Sequence, residues 1–255
     1  MKNYNNTLES GAGNMVSYDA DNSADELWSF IDDHLLHYGR DFVRELIGHA
    51  SGSYLYTTEK RAIIDFSSGQ MCATLGHNHP AIVDAMTRSA ETVIHLDSTM
   101  LAPAIAHLGK ELCDLLPAEL SKVLFLNTGA ESNEAAIRLA KLYTGGFEIV
   151  GLTGSWHGTT YGAASSTYAS GRKGYGPSMS GSLAIPSPNC YRCPIGHKRE
   201  SCELACLNFS FDYIDEVSVG SIAAILIEPV QSAGGIIVPP KGYMKRLREF
   251  CREIG

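Results

Sequence analysis

Four cysteines crowd one short stretch of the chain, and their spacing is the first pattern that could do chemistry. Cys190-Tyr-Arg-Cys193 and Cys202-Glu-Leu-Ala-Cys206 form two chelating pairs on either side of a loop containing Gly196. Four thiolates so spaced can surround a tetrahedral Zn2+ or an iron–sulfur cluster. Reduced cysteines that simply pack an insert at 187–207 fit the same spacing. A second pattern is Thr128-Gly129-Ala130, a small-residue turn between the apolar run 123–126 and an amphipathic segment. The first turn of a helix leaves N–H groups unpaired and carries a positive dipole end, so an anion is favoured there. Gly129 permits close backbone approach. The turn is either a phosphate site or a tight connection. It is neither a dinucleotide G-x-G-x-x-G nor a P-loop, whose glycines and lysine are missing. Glu228 ends the apolar run 222–227, and ligands bind at the carboxyl ends of strands in open α/β sheets, although a carboxylate at such a position is often only solvated.

These residues need elements to hold them. Residues 25–37 place Leu27, Trp28, Ile31, Leu35 and Leu36 on a helical stripe behind an acidic start. Residues 52–66 are aromatic and β-branched around a polar turn at 57–61, which predicts a hairpin. Helices follow at 80–93 and 103–115, each opened by a proline suited to a first helical turn. From residue 122 onward, apolar runs at 123–126, 148–152 and 222–227 alternate with helical segments. That alternation predicts a mostly parallel sheet flanked by helices, with 222–227, apolar on both faces, as a central strand. In the helix after the turn, Ala135, Leu139 and Tyr143 share one face, and Glu134 and Arg138 form an i,i+4 pair. A last helix is expected at 243–254. The sequence then stops where a further strand is expected, so the chain reads as truncated.

Composition bounds the function classes. The 255 residues are 44% apolar, enough for a sizeable core. With 20 basic against 28 acidic residues the formal charge is −8, which argues against a general nucleic-acid binder. Residues 1–24 are polar, with neither a basic start nor an apolar stretch, and read as a loose tail rather than a secretory signal. No run is long enough for a membrane helix. A cytoplasmic protein with reduced thiols is expected, with Cys72, Cys113 and Cys251 packing as small apolar residues.

Several motifs, in order, resemble those of the class III aminotransferases, a group of fold-type I pyridoxal-5′-phosphate (PLP) enzymes. They are Asp65-Phe-Ser-Ser-Gly69, Leu75-Gly-His-Asn-His-Pro80, Asn127-Thr-Gly-Ala-Glu-Ser-Asn-Glu-Ala-Ala-Ile-Arg138, Ser155-Trp-His-Gly158, and Ile227-Glu-Pro-Val230 with Gly234-Gly235. The resemblance covers roughly residues 25–255. It implies an α/β fold in which 25–76 belong to a smaller domain and 77–255 to an incomplete large PLP-binding domain. Thr128, Gly129 and Ala130 would hold the cofactor phosphate, Trp156 would stack on the pyridine ring with His157 beside it, and Asn133 and Glu228 would join the polar network of the site. His77 and His79 fall in a turn of the family signature, so no metal is assigned to them. Within the family, Ser68-Gly-Gln-Met71 is most similar to the 2,2-dialkylglycine decarboxylase type, which implies that Gln70 faces the substrate carboxylate and that Ser98 lines the same pocket. Ser170-Gly-Arg-Lys-Gly174 adds to that similarity, whereas Thr159, Ala233 and the cysteine-rich segment depart from it. The implied activity is decarboxylating transamination between an amino donor and a 2-oxo acid in a homodimer, with ordinary transamination as the alternative. In the family the Schiff-base lysine and the acidic partner of the pyridine nitrogen lie beyond residue 255, so this chain alone is expected to be inactive, and a non-catalytic remnant is the reading from another class. A small zinc-binding module would leave the phosphate turn unexplained.

Overall fold

The computed structural model describes residues 22–37, 41–169 and 172–254. The tail expected at 1–24 lies outside them up to residue 21, as do Ser170 and Gly171 of the 170–174 match. The chain divides into two compact units, residues 1–108 and 109–255, and each is described by itself.

In the first unit, α1 (Ala24–His34) starts where Ser23 and Glu26 form a reciprocal capping box. Its Trp28 ring lies 4.5 Å from the Arg44 guanidinium. Next comes an antiparallel meander of β1 (Ile47–Ser51), β2 (Tyr54–Thr57) and β3 (Ala62–Ile64). The expected turn is present: the Thr57 N–H donates to the Arg61 carbonyl at 3.0 Å, with Lys60 in the left-handed region at φ 66°. Strand β1 was not foreseen, because Ile-Gly-His-Ala-Ser shows little apolar alternation. The single turn α2 (Ser68–Met71) is broken by non-helical Gly69 and Gln70. Helix α3 (Pro80–Thr92) opens with its expected proline, as does α4 (Pro103–Leu115), which runs across the division between the units.

The second unit contains α5 (Gly129–Thr144), β4 (Glu148–Leu152), α6 (Tyr161–Ser165), β5 (Ser182–Ile185), α7 (Ala205–Val217), β6 (Ile222–Ile225) and α8 (Tyr243–Glu253). Its three strands are parallel in the order β5-β4-β6. Two expectations are corrected here. Residues 123–126 form no strand, having no ladder partner among the described residues, and Val123, Leu124, Phe125 and Leu126 are exposed. The central strand is β4, buried along its whole length, whereas β6 lies at an edge and is only half-buried. On α5, Leu139 and Tyr143 are exposed and Ile137 is the buried residue.

Helix α7 was missed, though its buried Cys206, Leu207, Ser210, Phe211 and Ile214 follow helical spacing. It packs Leu207 and Phe211 against Tyr243 and Leu247 of α8, and Ile214 joins Val150, Leu152 and Ile185 beneath the sheet. Among the described residues no helix is long and apolar enough to cross a membrane.

Candidate functional site

Strands β4 and β6 run parallel, so their carboxyl ends deliver the segments 153–158 and 226–232 to the same edge of the sheet. The Glu228 carboxylate spans the gap. One oxygen accepts from the Trp156 N–H at 2.7 Å, and the other accepts from the Ser232 N–H at 3.1 Å. From the other side, the Asn133 amide of α5 donates to the His157 carbonyl at 2.6 Å. The backbone of Trp156 and His157 is thereby held between a helix and a strand end, both within the second unit.

The amino end of α5 abuts the same segment. Gly158 has φ 133°, and a methyl group on it would lie 2.6 Å from the Ala130 side chain and 2.9 Å from its Cα. Glycine is required here both by conformation and by space. Thr128 caps the helix: its hydroxyl accepts from the Glu131 N–H at 3.1 Å, while the Glu131 carboxylate accepts from the N–H groups of Thr128 and Asn127. Gly129 and Ala130 fall in the first helical turn, where N–H groups have no intrahelical acceptor. Glu131 was missed in the sequence, although Thr128-x-x-Glu131 is a capping-box signature. Glu134, expected to pair with Arg138 along the helix, feels the Arg138 charge and also accepts from the Gly162 and Ala163 N–H groups at 2.7 and 3.0 Å, capping α6.

The side chains of the Trp-His pair diverge in environment. Trp156 remains 39% exposed, whereas His157 is buried and its Nε2 finds no hydrogen-bond partner. Burial holds the His157 imidazole below its ordinary pKa, while the Glu228 charge and the Leu226 carbonyl act in the opposite direction. A neutral ring with an unused, buried nitrogen marks a place where a polar partner is missing.

Gln70 and Ser98 lie in the first unit, both exposed. Gln70 sits on a contorted loop in which Ser68, Gly69 and Met71 all take positive φ. Ser98 lies in a turn stabilised by the Asp97 carboxylate, which accepts from the Thr99 N–H at 2.9 Å.

The metal expectation does not hold. Cys190, Cys193, Cys202 and Cys206 line one small cavity together with His197 and Arg199. Even so, among the described residues no three His, Cys, Asp or Glu side chains are arranged to hold a metal ion. The reason is packing: Cys206 is buried in the apolar cluster of Leu207, Phe211, Tyr243 and Leu247. Burial is the main cause pushing the Cys190 and Cys206 thiols above their ordinary pKa.

Residues 39–255 match the family model described as aminotransferase class-III. An uncharacterised aminotransferase of Schizosaccharomyces pombe is 44% identical over 229 residues, which are 89% of this chain and 51% of that protein. A probable 4-aminobutyrate aminotransferase of Bacillus subtilis is 33% identical over 83% of this chain and 50% of its own length. A leucine/methionine racemase of Thermococcus litoralis is also 33% identical, over 81% of this chain and 47% of its own length. The chain therefore spans about half the length of the curated relatives it matches. Among solved structures, the taurine:2-oxoglutarate aminotransferase of Bifidobacterium kashiwanohense, in complex with PLP and glutamate, superposes with a TM-score of 0.83 at 29% identity. The match covers 92% of this chain and 55% of that one.

Proposed function

Because the chain belongs to the class-III aminotransferase family, we propose that it forms the cofactor-cradling half of a PLP-dependent transaminase passing an amino group from an amino acid or amine to a 2-oxo acid. The observation that carries this reading is the junction of Ala130, Asn133, Trp156–Gly158 and Glu228 at one edge of the parallel sheet. These residues fit the cofactor. The free N–H groups of Gly129 and Ala130 would hold its phosphate, and the half-exposed Trp156 ring offers an apolar face for a planar heterocycle. The unpartnered His157 Nε2 supplies one buried polar contact. When bound, PLP supplies an electron sink for the bond broken at the donor carbon. The chain's own part is to fix the plane of the ring. Glu228 at the Trp156 N–H and Asn133 at the His157 carbonyl hold this backbone from two sides, so the indole cannot swing away with the loop. The same family membership favours a homodimer.

A second reading, decarboxylating transamination, rests on Gln70. Its loop carries several residues in costly backbone conformations, and such strain clusters at functional positions. The relatives described above are aminotransferases and a racemase, so ordinary transamination takes precedence. The test is to supply the full-length protein with PLP, a range of amino donors and a 2-oxo acid, and to follow the keto product, CO2 and donor stereochemistry. Keto product without CO2 is expected. CO2 release from an α,α-disubstituted amino acid would select the second reading, and racemisation without net amino transfer would overturn both.

A further inference from the structure

The loop that carries Gln70 is held by a hydrogen-bonded Asp65–His77 pair that the proposed chemistry does not use. Asp65, with its side chain 8% exposed, accepts from His77 Nε2 at 2.7 Å, and the His77 ring is 18% exposed. The same carboxylate accepts from the Ser67 N–H at 2.8 Å and the Gly69 N–H at 2.7 Å. These acceptor roles, led by the Gly69 N–H and then His77, hold Asp65 below its ordinary pKa, so it is ionised across the neutral range. His77 is itself anchored. Its N–H donates to the Gly52 carbonyl at 2.8 Å, and its carbonyl accepts from the Gly52 N–H at 3.1 Å, tying it to the β1–β2 turn. Asp65 is tied to the same turn through its N–H and the Ser53 carbonyl at 2.9 Å. Gly76 packs against this anchor so closely that a methyl group on it would lie 3.1 Å from the Gly52 Cα.

The strained segment begins where this anchor ends. Ser68 (φ 50°), Gly69 (φ 64°) and Met71 (φ 64°) all occupy the left-handed region, and Gln70 sits between the last two. Non-glycine residues persist there only when surrounding contacts over-determine them. Asp65 supplies such contacts on either side of Ser68, at the Ser67 and Gly69 N–H groups.

Resting on the reading of Gln70 as a substrate-facing group, we propose that Asp65 and His77 are positioning residues that latch the Gln70 loop and so set how firmly the donor's carboxylate is held. Neither residue needs to touch substrate. The imidazole fixes the carboxylate, the carboxylate fixes the Gly69 N–H, and the peptide that follows aims Gln70.

The test uses the full-length protein loaded with PLP, with the variants Asp65→Asn, His77→Ala, His77→Gln and Gln70→Ala. Two readouts are taken: amide hydrogen exchange across residues 66–72, and KM and kcat for a carboxylate-bearing donor. With Asp65→Asn and His77→Ala, exchange should accelerate about tenfold or more and donor KM should rise by roughly tenfold with kcat little changed, the signature of lost binding. His77→Gln, which still offers a donor to Asp65, should recover both. His77→Ala combined with Gln70→Ala should raise KM no further than Gln70→Ala does. Unchanged exchange in Asp65→Asn and His77→Ala overturns the latch. Faster exchange with unchanged KM, in these variants and in Gln70→Ala alike, overturns the substrate-facing reading of Gln70 and with it the specificity role.

Discussion

At the scale of single residues, the site depends on one close approach. Gly158 lies between the segment after β4 and the first turn of α5, and both its φ of 133° and the 2.6 Å that would separate an added methyl group from the Ala130 side chain exclude any larger residue. Gly158→Ala must therefore move the Trp156–His157 backbone away from the helix or strain it in place. A loss of about 1–3 kcal/mol of stability is expected from overpacking and backbone strain. Cofactor retention should fall by roughly tenfold or more, the equivalent of about 1.4 kcal/mol. Denaturant unfolding and PLP titration of the full-length variant check both, and an unchanged cofactor affinity would contradict the packing argument.

At the scale of elements, the sheet is locked to its loops by buried polar groups. Glu148, 2% exposed at the start of β4, accepts from the Ser218 hydroxyl and from the N–H groups of Val219 and Ser221, so it ties the turn before β6 to the neighbouring strand. Burial acts to raise its pKa, but the three donors together outweigh burial and hold it below the ordinary glutamate value. A carboxylate whose folded pKa is depressed contributes stability above its unfolded pKa, about 4.3. That contribution is lost as pH falls through the lower folded value. The stability gap between the wild type and Glu148→Gln should accordingly be full near neutrality and shrink below about pH 4.3. Urea unfolding at a series of pH values measures it, and a gap independent of pH would remove Glu148 from this role. At the other end of the sheet, fully buried Gln231 accepts from the Ser187 hydroxyl and donates to the Thr153 carbonyl at 3.0 Å, tying the segment after β6 to those after β4 and β5.

At the scale of the whole molecule, the apolar surface left open is informative. The run Val123–Leu126 is exposed beside the amino end of α5, and Ile82, Val83 and Met86 are exposed on α3. Soluble proteins rarely leave contiguous apolar runs uncovered, and such runs mark contact surfaces. Residues 1–255 produced alone should therefore bind a hydrophobic dye strongly and associate as concentration rises. Weak dye binding together with a mass independent of concentration would refute the reading of these runs as contact surfaces. Fluorescence titration and sedimentation at several concentrations make the measurement.

Local patterns determined much of this. The helices expected at 80–93 and 103–115 were legible from their opening prolines, and the turn at 57–61 from its polar residues between β-branched runs. The Thr-Gly-Ala turn and the Trp-His-Gly motif resembled those of a known family, and the match of residues 39–255 to that family's model agrees with the family. What depends on distant partners was not legible. Residues 123–126 have strand composition but no strand beside them, and a strand exists only through its ladder. The β5-β4-β6 order made β4 central, which no property of residues 222–227 could reveal. The four cysteines have chelating spacing, but spacing does not say which side chain the core will claim, and it claimed Cys206. Glu228 was visible as a carboxylate at a strand end. Only the tertiary structure showed that it grips the Trp156 backbone, because that hydrogen bond joins residues 72 positions apart in the chain.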